Sequence, residues 1–157
     1  MGYAEAATII NAPIDVVWNS LNDIEHTPQW VVGLEKAELQ TATRFGVGSV
    51  YLDYNRLGSQ IQVTAWRIAV FEPMRRQVHV STSANLPSTM TLHLAVEGSG
   101  TRLHMTVAYR FMPRLGVVSR ALERLVMNRV LSGIVRKNQQ NLNAYLSQWS
   151  VVRERVA

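Results

Sequence analysis

The segment Ile9 to Trp30, IINAPIDVVWNSLNDIEHTPQW, constrains the fold of this chain more than any other stretch. Pro13 stands where a helix should begin. It has no N–H to leave unsatisfied there, and its fixed φ suits helix entry. Ile14, Val17, Trp18 and Leu21 follow at i, i+3, i+4 and i+7, one apolar stripe of a helix. Ala4 to Ile10 reads as a strand. Asn22-Asp23 ends the first helix, and Thr27-Pro28 is expected to cap and open a second short helix that carries Trp30 and stops at Gly33. Strand, helix, helix and then several strands is not the rhythm of a parallel α/β protein.

A chain of 157 residues is most simply one domain with room for a real core. Its 47% apolar and 17% charged residues argue against disorder. The absence of cysteine excludes a disulfide frame and thiol chemistry. No signal-like start and no apolar run long enough to span a bilayer are present, so a soluble, cytoplasmic protein is expected.

The opening segment resembles the START-like superfamily, also called the Bet v 1-like or polyketide cyclase/dehydrase (SRPBCC) group. The resemblance rests on Ile10, Ala12, Pro13, Val17, Trp18, Leu21, Asp23, Pro28 and Trp30. It extends through Gly46-Val47-Gly48-Ser49, Trp66 with Phe71-Glu72-Pro73, Gly100-Thr101-Arg102-Leu103 and a long final helix. It therefore covers nearly the whole chain as one START-like domain, residues 1–157. The fold it implies is α+β, of helix-grip type. A seven-stranded antiparallel sheet would wrap a long C-terminal helix, with two short helices between the first two strands and a cavity between sheet and helix.

Alternation is clear in the last two strands. Met90, Leu92, Leu94 and Val96 share one face, Leu103, Met105, Val107 and Tyr109 the next, with Gly98-Ser99-Gly100 as the turn. By the same logic Val78 and Val80 should face inward. His79, His93 and His104 then fall on the opposite, outer face of three successive strands. Three imidazoles in a row can bind a metal. The simpler expectation is an open, solvated surface and no metal site.

The first hairpin, Val50 to Arg56 and Gln60 to Phe71, is apolar on both faces. If Trp66 points inward, pairing about Leu57-Gly58 puts Tyr51, Asp53, Gln62 and Thr64 inward too. The resemblance implies apolar residues at those four positions, and this chain departs from it toward polarity. The outer face would then expose Leu52, Tyr54, Ile61, Val63 and Ala65, a candidate dimer surface. A slip of one residue would invert both faces.

In the final helix, Leu115, Val118, Leu122, Leu125 and Val126 share a stripe, whereas Leu131, Ile134, Leu142, Tyr145 and Trp149 lie on a face turned by about half a circle at ~100° per residue. Either the helix bends near Ser132-Gly133 so that its first half covers the cavity mouth, or the first half exposes an extra apolar stripe. This segment is also the basic one: Pro113 to Ala157 holds eight basic and two acidic residues, the preceding 112 residues eight and nine.

No nucleophile elbow, zinc-protease motif, phosphate loop or dinucleotide fingerprint is present. Asp53 is the one acid expected inside, where burial would raise its pKa. Three functions follow. The first is binding of a small hydrophobic molecule such as a lipid or polyketide, without a cofactor. The expected ligand-binding residues are Trp30, Tyr51, Asp53, Gln62, Thr64, Trp66, Val78, Val80, Met90, Leu92, Met105, Val107, Tyr109 and Val126, with His26 near the mouth. The second, from the resemblance, is an aromatase/cyclase-like enzyme using Asp53, Tyr51, Tyr109 and Arg129. It requires two titratable groups facing one cavity. The third, also from the resemblance, is a coenzyme Q-binding or ribosome-associated toxin-like protein, meeting nucleic acid or an anionic membrane through the basic helix.

Overall fold

A computed structural model describes residues 2–41, 44–81, 87–110 and 117–156, with side chains of 117–123 and 149–156 not described. Seven strands, β1 (Gly2–Ile10), β2 (Leu34–Leu39), β3 (Val50–Leu57), β4 (Gln60–Glu72), β5 (Arg76–Ser81), β6 (Ser88–Glu97) and β7 (Gly100–Tyr109), form one antiparallel sheet ordered β1-β7-β6-β5-β4-β3-β2. Helix α1 (Ile14–Asn22) and a 3₁₀ helix (Ile24–Gln29) connect β1 to β2, and the long α2 (Val117–Val156) closes the chain. This is the helix-grip α+β fold. No helix among the described residues is long and apolar enough to cross a membrane.

The apolar stripe of α1 buries Val17, Trp18 and Leu21 against Leu92, Leu103, Met105 and, on α2, Val135, Leu142 and Leu146. Pro13 precedes the first helical residue, and its carbonyl accepts from Val17 N at 3.1 Å. The second short helix starts earlier than Thr27-Pro28. It begins at Ile24 and ends at Gln29, so Trp30 follows it. Thr27 does not cap its start; the hydroxyl donates back to the Ile24 carbonyl at 2.7 Å, as a mid-helix threonine can.

The β3–β4 hairpin turns at Gly58-Ser59, one residue beyond the expected centre of pairing. Parity is unchanged, so Tyr51 pairs with Trp66 and Asp53 with Thr64 on the inner face. Ile61 and Val63 are exposed on the outer face.

Strand β5 is inverted relative to expectation. Trp66 pairs with Ser81 and Ile68 with His79, and the register then shifts before Val70 pairs with Val78. Gln77, His79 and Ser81 are buried, while Val78 and Val80 lie on the other face. Apolar alternation misleads here because the buried face is polar and satisfied internally. The histidine row is broken for the same reason. His93 does pair with His104 on the outer face, where His104 meets Glu5 at 3.2 Å, but His79 points inward opposite Met90. Val96 shares the inner parity of β6 yet is 70% exposed, being at the strand end beyond the core.

Helix α2 is continuous, and polar residues choose the face it turns to the sheet. Asn128 Oδ1 accepts from Tyr3 N, Ser132 Oγ from Glu5 N and Asn143 Oδ1 from Asn11 N. The Gln139 amide, fully buried, donates to the carbonyls of Ala6 and Leu103. Asn128 and Ser132 thereby occupy amides of edge strand β1 that would otherwise invite another strand. The first-half apolar stripe consequently faces away: Leu125 is 66% exposed, and Val126 and Val130 about half. Leu115 lies outside the described residues, as do the side chains of Val118, Leu122 and Trp149.

Candidate functional site

Between the sheet and α2 lies a cavity of about 280 Å³. One wall is apolar, built from Met90, Leu92, Met105 and Val107 on the paired β6 and β7. Helix α2 supplies Leu131, Ile134, Val135 and Asn138. Leu21, Ile24, Thr27, Trp30, Val31, Val32 and Leu34 complete the end formed by the two short helices and the start of β2. Asn138 and Asn141 tie this end to α2, through Val32 N and the Trp30 carbonyl.

The remaining wall is polar. Tyr51, Asp53 and Asn55 alternate along β3, with Thr64 and Trp66 opposite on β4 and His79 beyond them on β5. A hydrogen-bonded chain runs through it. The Tyr51 hydroxyl lies 2.7 Å from His79 Nδ1, His79 Nε2 lies 2.8 Å from Gln77 Oε1, and Gln77 Nε2 donates to Asn22 Oδ1 at 2.6 Å. Gln77 Oε1 can only accept, so His79 Nε2 carries the proton and Nδ1 accepts from Tyr51. Burial lowers the His79 pKa to about 4, consistent with a neutral ring. Burial, together with the nearby Asp53 charge, holds the Tyr51 phenol well above its usual range.

Asp53 is the exception to this satisfied network. Desolvation raises its pKa to about 7, opposed by a hydrogen bond from Trp66. Its Oδ1 is buried and has no hydrogen-bond partner. Among the described residues, no lysine or arginine lines the cavity to pair with it.

Of the residues expected from sequence to bind a ligand, Trp30, Tyr51, Asp53, Thr64, Trp66, Met90, Leu92, Met105 and Val107 line this one space. Five others do not. Gln62 shares the inner face but pairs with Asn55 one step nearer the hairpin tip. Val78 and Val80 are on the wrong face of β5. Tyr109 is buried, but its hydroxyl is spent on Asn128 Oδ1 at 2.6 Å. Val126 is exposed on α2, as are Arg129 and, at the surface beside Asp23, His26. Sequence reasoning missed His79, Asn55 and Asn138. The inward parity of Trp66 and Ile68 could have found His79, had antiparallel pairing been given more weight than the two flanking valines.

A family model described as polyketide cyclase/dehydrase and lipid transport matches residues 1–147. No curated protein sequence matches the chain. Among solved structures, the fold is similar to TTHA0849 from Thermus thermophilus, with a TM-score of 0.70 and 18% identity over 91% of this chain and 98% of that one. It is similar to StfQ, a di-domain aromatase/cyclase of the steffimycin biosynthetic pathway, with a TM-score of 0.76 and 14% identity over 94% of this chain and 51% of that one. The Zhui aromatase/cyclase from a Streptomyces species gives a TM-score of 0.63 and 15% identity over 92% and 94%.

Proposed function

The chain belongs to the polyketide cyclase/dehydrase and lipid transport family, and from that premise we propose that it binds a small hydrophobic molecule in the cavity between sheet and α2. The observation that carries this reading is the cavity itself, large enough for a ligand of two or three fused rings and apolar on most of its lining. Burial of an apolar body against Met90, Leu92, Met105 and Val107 supplies affinity, at roughly 25 cal/mol per Å² removed from water. The groups on β3 to β5 orient it. The test is native mass spectrometry of the purified protein together with titration of naphthalene-type probes followed by tryptophan fluorescence. Saturable one-to-one binding is expected. Absence of any copurifying molecule and of any probe binding would refute the reading.

A second reading is a cyclase-like enzyme, which the resemblance to aromatase/cyclases and one specific observation favour. Asp53, Tyr51 and His79 are titratable groups on one cavity wall, the condition such an enzyme needs. A carboxyl with a pKa near 7 is matched to general-base work at neutral pH. Turnover of an aromatic polyketide analogue, lost in Asp53→Asn with binding retained, is the expected result for this reading. Binding without turnover leaves the carrier.

A further inference from the structure

The donors nearest Asp53 on the polar wall are already committed. Tyr51 has one hydroxyl proton, and it is committed to His79 Nδ1. The one proton on neutral His79 is committed to Gln77. The indole N–H of Trp66 is committed to Asp53. What Tyr51, His79 and Asp53 have left is acceptor capacity: the lone pairs of the Tyr51 oxygen and the Asp53 carboxyl, one of whose oxygens is unpartnered, while the Asn55 amide supplies donors only further along β3, toward the hairpin tip. The two residues alternate on one face of β3, about 7 Å apart, so both meet the same end of a bound molecule. Thr64 opposite can donate or accept and does not change the imbalance. Rotation about the soft final torsion of aspartate brings either carboxyl oxygen toward the cavity.

We infer that the cavity selects an apolar molecule bearing a hydrogen-bond donor, a hydroxyl or a protonated amine, at the end that meets Asp53, with the Tyr51 oxygen as a second acceptor. This rests on the hydrophobic-ligand reading above and narrows it. A ketone, ether or ester offers only lone pairs. Bound here above the Asp53 pKa of about 7, where the carboxyl is ionised and only accepts, it would leave that carboxyl unpaired and set oxygen against oxygen. A site whose polar groups go unpaired rejects the wrong analogue far more strongly than one that merely differs in size.

The test uses three probes of one shape, 2-naphthol, 2-methoxynaphthalene and 2-(aminomethyl)naphthalene, titrated against the full chain at pH 8, where Asp53 is ionised. Naphthol, the ammonium probe or both should bind at least about tenfold tighter than the ether. Which of the two leads tells a hydroxyl ligand from an amine. In Asp53→Leu, which thermal melting checks for folding, the advantage should shrink to roughly threefold or less. If Asp53→Leu does not fold, Asp53→Asn serves, and in it the advantage of the ammonium probe should vanish. Equal binding of all three probes by the unsubstituted protein overturns this inference and leaves the cavity reading intact. A donor preference that survives loss of the carboxylate also overturns it. No binding of any probe, the ether included, overturns the cavity reading and the inference with it.

Discussion

The Tyr51 hydroxyl donates a 2.7 Å hydrogen bond to Nδ1 of His79, joining β3 to β5 across the intervening β4 on the inner face of the sheet. The two rings meet edge to face, with centroids 5.7 Å apart. Both residues are almost inaccessible, so either group left alone is buried and unsatisfied. Tyr51→Phe and His79→Leu should each destabilise the protein by about 1–3 kcal/mol, the His79 change also stranding Gln77. The double variant should cost less than the sum of the two, with a coupling of about 1 kcal/mol or more. Urea denaturation of the four proteins measures this. Strict additivity would mean that the bond contributes nothing.

Asp53 and His79 give the stability a pH dependence with opposing signs. Folding raises the Asp53 pKa from 3.8 to about 7, so between those values the folded state holds a proton that the unfolded chain has released. Stability from this group falls as pH rises through that window and is flat above it. Folding lowers the His79 pKa from 6.5 to about 4, so its contribution is lost as pH falls from 6.5 toward 4. The two nearly cancel between pH 4 and 6.5. Asp53→Asn removes one of them. It should be more stable than the unsubstituted protein at neutral pH, by on the order of 3 kcal/mol, with the gain fading toward pH 4. Thermal melts from pH 4 to 8 test this; a variant no more stable at pH 7.5 than at pH 4.5, relative to the unsubstituted protein, would refute the raised pKa.

Most of the fold was legible because it depends on patterns that sequence carries locally. Pro13, the stripe on α1 and the alternation of β6 and β7 each specify their own geometry. The hairpin of β3 and β4 was legible through the parity of Trp66, since a turn displaced by one residue at both ends leaves the faces alone. What misled was the assumption that the inward side is the apolar side. On β5 the buried face is Gln77, His79 and Ser81, and nothing in RQVHVS shows that Asn22 and Tyr51 wait to satisfy it. On α2 the inward residues of the first half include Asn128 and Ser132, chosen by the unpaired edge of β1. In both places the deciding partner lies far away in sequence, where periodicity has no reach.

The same edge gives α2 a measurable anchor. Asn128 Oδ1 accepts from both Tyr3 N and the Tyr109 hydroxyl. Asn128→Ala leaves the buried phenol and an edge amide without that acceptor and should cost about 1–3 kcal/mol. Hydrogen exchange adds a local readout: the Tyr3 amide should lose protection while amides of β4 and β5 change only with global stability. Unchanged protection at Tyr3 would contradict the anchoring role.

Gly100 opens β7 in direct contact with the end of β1. A β-carbon there would lie 2.6 Å from the Ile10 carbonyl oxygen, a backbone atom that cannot swing aside. Gly100→Ala should therefore destabilise by about 1–3 kcal/mol through overpacking. Gly98→Ala, in the same turn with open space around it, has no such contact, and its cost comes only from a φ of 60°. Chemical denaturation should rank Gly100→Ala as the more damaging. The reverse order would place the strain in the turn rather than at the strand junction.

Filling the cavity separates the space from the core around it. Val107 lines the cavity on β7, whereas Leu103, four residues earlier on the same face, is fully buried and does not line this cavity. A tryptophan at Leu103 has nowhere to go and should destabilise by about 1–3 kcal/mol or more, as overpacked cores do. A tryptophan at Val107 can extend into space that already exists. Its stability should stay within about 1 kcal/mol of the unsubstituted protein, while binding of naphthyl probes weakens at least about tenfold because their volume is occupied. Denaturation and fluorescence titration of Val107→Trp and Leu103→Trp test both halves together. If Val107→Trp destabilises as much as Leu103→Trp, the space between sheet and helix is not open in solution. If it folds well and still binds the probes unchanged, they bind elsewhere.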